Sequence, residues 1–339
     1  MSSNQNITVY GAYGHTGRFV VAELRKRGLT PILSGRDENK LAAMGTAYPG
    51  LDIRPAAVDD PSSLDQSLLG ATAVINCAGP FMDTAVPLVE AAVRARIHYL
   101  DVTAEQPSAL TIFEQFSDIA RDAGIVIAPA MAFYGGLGDL LATAAVGDWP
   151  DADEILIAVA LDSWRPTPGT RITGERNVAR RFVFSNNRLE FLADPPPTRR
   201  WDFPEPFGTQ DVVGVALAEI ITISRHLRTP EIHPYMNLAP LRDIRDPDTP
   251  TPTAADDSGR SSQIFVMDVI ACRGNEDRRA TASGRDIYAI TAPIVVEAVT
   301  RILDHRDAKA GVLTAGELFD APDFLRSLSQ EHLSLAIHS

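Results

Sequence analysis

The chain has 339 residues, of which 45% are hydrophobic, and its formal net charge is −13 at pH 7. A chain of this length and composition is expected to be globular and to hold two domains. The negative charge excludes general nucleic-acid affinity, because an acidic protein repels a polyanion except at a local basic patch.

Three further absences narrow the class of protein. No apolar run approaches the length of a membrane span, and the first six residues lack the apolar core of a signal peptide, so we expect a cytoplasmic protein. Cys77 and Cys272 are the two cysteines and lie far apart, which argues against a disulfide framework. The seven histidines form no close pair at ligand spacing, so no metal site is predicted.

The first motif is a glycine-rich segment near the start of the chain. Residues 11–18 read Gly-Ala-Tyr-Gly-His-Thr-Gly-Arg, and they stand between a predicted strand at 6–10 and a predicted helix at 17–27. Glycines at such a junction let the backbone turn tightly beside a pyrophosphate, whose charge the helix N-terminus then holds. The segment therefore predicts a dinucleotide-binding turn.

The end of the second predicted strand, residues 30–34, indicates which dinucleotide binds. An NAD site would place an acidic side chain here for the ribose 2′-hydroxyl, but this chain has Ser34, Gly35 and Arg36. A guanidinium beside a hydroxyl suits a 2′-phosphate. Asp37 is read as the cap of the next helix. NADP(H) is therefore the predicted cofactor, with a solvated loop arginine as the alternative reading of Arg36.

Helices and strands continue to alternate as far as about residue 130. The further predicted strands are short and apolar, and they cover residues 52–58, 72–76, 98–102 and 125–128. Strands that alternate with helices form a Rossmann-type doubly wound parallel sheet. After the third strand, Asp59 or Asp60 is expected either to accept from the adenine amine or to cap the helix that follows. The two readings stay open.

The loop after the fourth strand, residues 77–81, reads Cys-Ala-Gly-Pro-Phe and leaves the carboxyl end of the sheet, where open α/β sheets bind their ligands. Gly79 permits a close approach of the backbone, and Pro80 fixes the loop beside the cofactor ribose. Cys77 has no base near it in sequence and is read as a small buried residue.

Beyond residue 150 the pattern changes to consecutive strands. Residues 154–161 are rich in β-formers, residues 181–192 predict a hairpin that turns at Asn186 and Asn187, and residues 264–272 and 279–283 predict an antiparallel pair. These features predict a second α+β domain, built on a mostly antiparallel sheet. Residues 245–262 are polar and rich in proline, so we expect a mobile loop, either a lid or plain disorder.

We therefore predict a dinucleotide-binding domain at residues 1–130, joined by the C-terminal segment 306–339. A substrate or dimerisation domain is predicted at residues 131–305 and includes an amphipathic helix at 288–305. Residues 130–141, with three glycines, Tyr134 and Asp139, are interpreted as the turn by which the chain leaves the nucleotide domain beside the nicotinamide.

Five of these motifs, taken in order, resemble the saccharopine dehydrogenase-like NADP-binding proteins, a group with saccharopine reductases and trans-acting enoyl reductases. The matching segments are residues 10–18, 34–36, 76–81, 98–103 and 138–140, and residues 311–314 with Phe319 look similar to the family's C-terminus. The resemblance implies hydride transfer between NADPH and a C=N or C=C bond, or the reverse oxidation. The chain departs from the family at residues 134–141, where two hydroxyls and a proline are missing.

The predicted cofactor contacts combine the glycine turn, the end of the second strand and the loops after the third and fourth strands. They are Gly11, Tyr13, Gly14, His15, Thr16, Gly17, Ser34, Arg36, Asp59, Cys77, Ala78, Gly79 and Pro80. The resemblance carries over the three glycines of the turn, Ser34, Arg36, Gly79 and Pro80.

No tyrosine is followed by a lysine four residues later, so the proton relay of short-chain dehydrogenases is excluded. The three lysines belong to predicted helices or follow one, which makes a lysine base improbable. The candidate catalytic residues are Tyr134, Asp139 and Tyr99, and Tyr134 is preferred because a phenol can protonate a nitrogen or an enolate. A purely structural role is the alternative for each.

These observations leave two hypotheses for function. The first is an NADP(H)-dependent oxidoreductase that acts on a small organic substrate, with a possible homodimer formed through the second domain. The second is a catalytically silent NADP(H)-binding redox sensor, which the altered segment at residues 134–141 and the missing acid–base pair motivate.

Overall fold

A computed structural model describes residues 5–304 and 309–338. The described residues divide into two compact units. The first comprises the described part of residues 1–132 and 291–313, and the second comprises the described part of residues 133–290 and 314–339.

The first unit is built on a seven-stranded parallel sheet. Its strands are β1 (Asn6–Tyr10), β2 (Thr30–Gly35), β3 (Ile53–Pro55), β4 (Ala73–Asn76), β5 (His98–Asp101), β6 (Val126–Ala128) and β15 (Gly311–Val312). Their order across the sheet is β15-β6-β5-β4-β1-β2-β3. The first strands thus occupy the order 3-2-1-4-5-6 of a doubly wound dinucleotide fold, and the predicted fold class is confirmed.

Helices connect these strands as in other doubly wound sheets. They are α1 (His15–Lys26), α2 (Glu38–Ala47), α3 (Pro61–Leu68), α4 (Phe81–Ala95), α5 (Gln106–Ala123) and α10 (Thr291–Asp304). Local sequence explains several of their ends. Asp37 and Asp60 cap α2 and α3 by accepting from backbone amides, and α5 ends at Gly124 in the left-handed conformation.

Two helices begin earlier than predicted. Helix α1 begins at His15 and includes Gly17, so two of the motif's glycines precede the helix and one lies within it. The apolar stripe at positions 86, 89, 92 and 93 predicts a helix from Val86 to Ala95, but helix α4 begins at Phe81, and Pro87 lies inside it. Pro87 lies beyond the first turn, so the helix lacks the backbone hydrogen bond that an N–H at this position would donate to the carbonyl of Asp83.

The second unit is built on a nine-stranded mixed sheet. Its strands are β7 (Glu154–Leu161), β8 (Phe182–Ser185), β9 (Arg188–Phe191), β10 (Thr198–Asp202), β11 (Thr209–Gly214), β12 (Ile232–Asn237), β13 (Ile264–Arg273), β14 (Glu276–Arg285) and β16 (Leu333–His338). Strands β7 and β12 pair in parallel, and the other pairs are antiparallel. The predicted second α+β domain on a mostly antiparallel sheet is confirmed.

Both predicted hairpins are present in this sheet. Asn186 and Asn187 have φ angles of 54° and 61° between β8 and β9, as a two-residue turn of type I′ requires. Strands β13 and β14 pair from Ile264 with Arg285 to Arg273 with Glu276. Both strands are therefore longer than the predicted pair.

The helical segments of the second unit pack on this sheet or connect its strands. They are a π-helical turn (Phe133–Leu137), α6 (Gly138–Val146), α7 (Pro168–Arg176), α8 (Glu219–Ile223), α9 (Leu238–Arg245), α11 (Ala315–Leu318) and α12 (Ala321–Ser329). On one face of the sheet Trp201, Phe203, Val212 and Val266 form a buried cluster. Helix α6 contacts β13 and β14.

The prediction for the C-terminal part of the chain needs two corrections. Helix α10 was assigned to the second domain but lies in the first unit, because it packs on α1, where Arg27 forms an ion pair with Glu297. Within segment 306–339, Thr314 and the residues after it belong to the second unit, because β16 pairs with β14 and α12 packs on α6. The predicted helix end at His305 lies outside the described residues.

The predicted mobile loop begins where α9 ends, at Arg245. Its backbone carbonyls at Asp246 and Thr249 accept from Arg171, and Ser261 donates its amide to Asp286. The segment contains no helix or strand from 246 to 263. Its mobility, and a role as a lid, stay predictions.

Candidate functional site

The glycine turn lies between the carboxyl end of β1 and the start of α1. The amides of Gly11 and Ala12 both donate to the carbonyl of Ser34, at 2.9 and 3.1 Å, which fixes the turn against the end of β2. Gly11 has a φ of +82°, and a Cβ on Gly17 would lie 2.2 Å from the carbonyl oxygen of Gly11. The turn therefore needs glycine at both positions, one for its backbone conformation and one for close packing.

The N-terminus of α1 is arranged to accept an anion. Gly14 is the N-cap, no side chain caps the helix, and its first turn holds no acidic residue. Tyr13, Gly14, His15 and Thr16 are all partly exposed. Uncapped amides together with the positive end of the helix dipole suit the pyrophosphate of a dinucleotide.

The end of β2 offers the groups that a 2′-phosphate needs. The hydroxyl of Ser34 is buried and has no hydrogen-bond partner within the described residues. Arg36 is exposed and forms no ion pair with any residue in 5–304 or 309–338. Lys40 lies with its Nζ atom 5.7 Å from the centre of the Tyr13 ring, and the Tyr13 hydroxyl accepts from the amide of Asp37 at 3.3 Å. Two cations and an orphaned hydroxyl thus stand beside one strand end.

Lys40 was not predicted as part of this site. Its position on α2, four residues after Arg36, places it near the Tyr13 ring, and it also pairs with Asp37 at 3.2 Å. The sequence signal was available, because a lysine one turn into the helix that follows β2 faces back toward the strand end.

The loop after β4 lies directly against the glycine turn. A Cβ on Gly11 would be 2.9 Å from the Cβ of Ala78, and the amide of Cys77 donates to the carbonyl of Tyr10 at 2.8 Å. The amide of Ala78 donates to the Asn76 side chain, and Gly79 is exposed just before Pro80, the N-cap of α4. The structure therefore brings the predicted contacts of residues 77–80 to the predicted turn.

Cys77 does not have the environment of a nucleophile. Burial, and next the charge of Asp101, raise the pKa of its thiol well above the usual value. A thiol that stays protonated is a weak nucleophile. The reading of Cys77 as a small packing residue agrees with this environment.

Asp60, and not Asp59, caps α3, since its carboxylate accepts from the amides of Ser62 and Ser63. Asp59 is exposed at the end of the same loop. Asp60 therefore has the capping role, and the adenine contact of Asp59 stays a prediction.

Tyr99 has a structural role in the first unit. Its side chain is fully buried, its hydroxyl donates to Asp101 at 3.0 Å, and it accepts from Asn76 at 3.3 Å. Asp101 also accepts from the amides of Thr103 and Ala130. Burial raises the pKa of Asp101 to about 6. Burial and the charge of Asp101 also raise the pKa of Tyr99 above its usual value. This network joins β4, β5 and the residues after β6, and it leaves no face of Tyr99 for a substrate.

Asp139, the second catalytic candidate, also has partners that occupy it. It is fully buried at the start of α6, where one oxygen lies 2.6 Å from Nε2 of His226 and the other accepts from the amide of Gly316 at 3.0 Å. These contacts join α6 to α11 and to the segment after α8. Asp139 is thus a structural residue of the second unit in this arrangement.

Tyr134 differs from the other two candidates because its hydroxyl has no partner. The ring is buried in the π-helical turn and packs against Phe133 and Trp164, at centroid distances of 4.9 and 5.9 Å. The hydroxyl makes no hydrogen bond with any described residue. Burial, followed by the charges of Tyr288 and Glu219, raises the pKa of Tyr134 well above its usual value. The phenol is therefore a proton donor that is not engaged by the protein.

Sequence reasoning missed Glu219 and His226, which lie in the second unit beside Tyr134 and Asp139 respectively. Each lies about 85 residues later in the chain than the residue beside it. Nothing in the local sequence of either residue marks it as part of a site. Only the folding of α8 and the residues after it against α6 brings them there.

The described ranges contain neither a cluster of metal ligands nor a helix that could span a membrane. Within 5–304 and 309–338, no three histidine, cysteine, aspartate or glutamate side chains come together as metal ligands. No helix in the same ranges has both the length and the apolar character needed to cross a membrane.

Comparison with known proteins agrees with this geometry. The family model of the saccharopine dehydrogenase NADP binding domain matches residues 7–127. A saccharopine dehydrogenase-like oxidoreductase of Bos taurus is 27% identical over 153 residues, and a trans-acting enoyl reductase of Mycobacterium ulcerans is 28% identical over 149 residues. The matches cover 40% and 41% of this chain, and they span 36% of the length of either relative.

A solved structure is similar over the whole chain. Apo saccharopine dehydrogenase (L-Glu forming) from Saccharomyces cerevisiae aligns with a TM-score of 0.70 over 99% of this chain and 100% of the other, at 11% sequence identity. At that identity the likeness shows the fold. The family model covers the glycine turn, the end of β2 and the loop after β4, and this match of residues 7–127 to an NADP binding domain identifies NADP(H) as the cofactor.

Proposed function

We propose that the protein is an NADP(H)-dependent oxidoreductase that transfers a hydride to or from a C=N or C=C bond of a small organic substrate. The observation that carries the proposal is the end of β2, where Arg36, Lys40 and the orphaned Ser34 hydroxyl stand beside a glycine turn of the dinucleotide type. The names of the relatives support the reaction class, since they include an oxidoreductase and an enoyl reductase.

The residues of the first unit divide the binding of the cofactor among them. The N-terminus of α1, which no side chain among the described residues caps, holds the pyrophosphate, and Gly11 and Gly17 keep the turn close enough for that contact. Ser34 and Arg36 bind the 2′-phosphate, with Lys40 as a second cation. The loop at residues 77–80 lies beside the turn and lines the cofactor ribose. NADP(H), when bound, supplies or accepts the hydride.

Proton exchange with the substrate is assigned to Tyr134. Of the three candidate acids and bases, Tyr99 and Asp139 are engaged in buried hydrogen bonds, whereas the Tyr134 hydroxyl is not. A phenol whose pKa is raised by burial keeps its proton at neutral pH and can donate it to a basic nitrogen or an enolate.

Turnover with a substrate panel tests this proposal. NADPH oxidation is followed by its near-ultraviolet absorbance with cyclic imines, conjugated ketones and enoyl thioesters, and NADP⁺ reduction is followed with the corresponding saturated compounds. We expect turnover with one class, and a preference for NADPH over NADH. Tight binding of NADPH without turnover on any class would instead favour the silent redox sensor.

A further inference from the structure

A small cavity in the second unit has apolar walls on one side. Six of its lining residues come from three neighbouring strands, and five of these are apolar: Ile157 and Val159 from β7, Pro234 and Met236 from β12, and Met267 from β13. Pro234 pairs with Ile157, while Val159 pairs with both Met236 and Met267, so these side chains share one face of the sheet. The floor of the cavity is therefore a continuous apolar surface.

Two polar side chains from helical segments also line the cavity. Tyr134 comes from the π-helical turn, and Glu219 comes from α8. Tyr134 is 8% exposed and Glu219 is 4% exposed. The space that remains has room for about one water-sized group and is partly open to solvent.

Both side chains have an oxygen without a partner. Neither the Tyr134 hydroxyl nor Oε2 of Glu219 makes a hydrogen bond within the described residues. The other carboxyl oxygen, Oε1, accepts from the amide of Leu217 at 2.9 Å. Buried polar groups are almost always hydrogen-bonded, so two orphaned oxygens beside one cavity indicate a missing third group.

The charges around the cavity indicate which third group fits. No lysine, arginine or histidine lines it. Burial raises the pKa of Glu219 to about 7, although the amides of Leu217 and of Glu219 itself and the charge of Arg181 act in the opposite direction. Tyr134 and Tyr235 are the other titratable groups in the lining, and burial keeps the Tyr134 phenol protonated. Below pH 7 both orphaned oxygens are therefore O–H donors, and an acceptor is what each of them lacks.

We propose that this cavity binds the carbonyl oxygen of an apolar small molecule, with the Tyr134 hydroxyl and the Glu219 carboxyl as its two hydrogen-bond donors. The oxygen occupies the water-sized space, and the apolar body of the ligand lies toward the open side against the methionines. The inference rests on and deepens the proposed function, because it selects carbonyl-conjugated C=C compounds from the broader substrate class, but binding at this site needs no nucleotide.

Binding of 2-cyclohexen-1-one to the full chain without nucleotide tests the inference. A red shift of the enone's ultraviolet absorption reports the hydrogen bonds to its oxygen, and titration at several pH values gives the dissociation constant. We expect affinity to be highest below pH 7 and to fall as Glu219 ionises. Tyr134→Phe removes one donor and should weaken binding about tenfold, as loss of one such hydrogen bond does.

Glu219→Gln separates donation from ionisation. Its amide can accept from Leu217 with the oxygen and donate into the cavity with the nitrogen at every pH, so binding should persist while its pH dependence near 7 disappears. Tyr48→Phe, a partly exposed tyrosine of the first unit, is the matched control for the loss of a phenol. Thermal melting of each variant verifies that it is folded.

Three results would overturn the inference. They are no enone binding at any pH, equal binding by Tyr134→Phe, and stronger binding of cyclohexylamine that increases above pH 7, which would mark a cation site. Loss of enone binding with imine reduction retained would reject the inference and leave the proposed function standing. Enone binding without turnover on any substrate would support the inference and contradict the proposed function.

Discussion

The Nε2 atom of His226 lies 2.6 Å from Oδ1 of Asp139, and the second oxygen of Asp139 accepts from the amide of Gly316. Burial lowers the pKa of His226, but the charge and hydrogen bond of Asp139, with the charge of Glu317, outweigh it, so that the pKa is raised overall. Protonated His226 thus joins three segments of the second unit.

This pair predicts a pH-dependent contribution to stability. Because the native pKa is above the unfolded value of 6.5, the contribution is complete below that pH and is lost as pH rises through the native pKa. Urea unfolding between pH 6 and 9 should show a fall in the free energy of unfolding that is smaller in His226→Gln. Because other buried groups also titrate in this range, the wild-type minus variant difference is the measured quantity, and a constant difference would contradict the prediction.

Arg36→Ala should weaken NADPH binding about tenfold to a hundredfold, since a charged hydrogen bond to phosphate contributes about 1.5–3 kcal/mol. NADH lacks the 2′-phosphate and should bind almost unchanged. Fluorescence titration with both nucleotides measures the ratio. Arg94→Ala, which removes an exposed arginine that pairs with Asp65, is the control and should leave both affinities unaltered. Equal losses for both nucleotides would remove Arg36 from the 2′-phosphate site.

Lys40→Ala tests the residue that sequence reasoning missed. A second cation near the same phosphate should contribute less than Arg36, because Lys40 is two-thirds exposed and also pairs with Asp37. We expect NADPH to bind a few times more weakly, with a steeper loss at low ionic strength, where exposed charges are least screened. An unchanged NADPH affinity at low salt would place Lys40 outside the site.

Gly17→Ala should disturb the glycine turn. The added Cβ would lie 2.2 Å from the carbonyl oxygen of Gly11, so either the start of α1 or the turn must move. Overpacking of this kind destabilises by about 1–3 kcal/mol, and NADPH affinity should fall with it. Gly174→Ala in α7, whose Cβ would meet no atom within 4 Å, is the control and should leave NADPH affinity unchanged without lowering stability. Normal stability and NADPH affinity in Gly17→Ala would show that the turn tolerates the methyl group.

The nucleotide domain was predictable because its signals are local. Gly11, Ser34 and Arg36 stand at strand ends that the apolar pattern marks, and a parallel sheet brings such ends to one edge. The pattern does not say which sheet an amphipathic helix covers, so α10 was assigned to the wrong unit. Nor does it pair Asp139 with His226 or Tyr134 with Glu219, because these contacts join distant parts of the chain. The individual cofactor contacts, the homodimer and the location in the cell stay predictions.

Tyr99 and Tyr134 give opposite expectations for the same substitution. Tyr99→Phe removes a buried hydroxyl that bonds Asp101 and Asn76, so the free energy of unfolding should fall by about 1–3 kcal/mol while turnover of the folded protein is retained. Tyr134→Phe removes a hydroxyl without a partner within the described residues, so the free energy of unfolding should not fall, while turnover should. Denaturant unfolding and NADPH oxidation, measured on both variants, separate the two roles. Loss of turnover in folded Tyr99→Phe, with full activity in Tyr134→Phe, would exchange the structural and catalytic assignments.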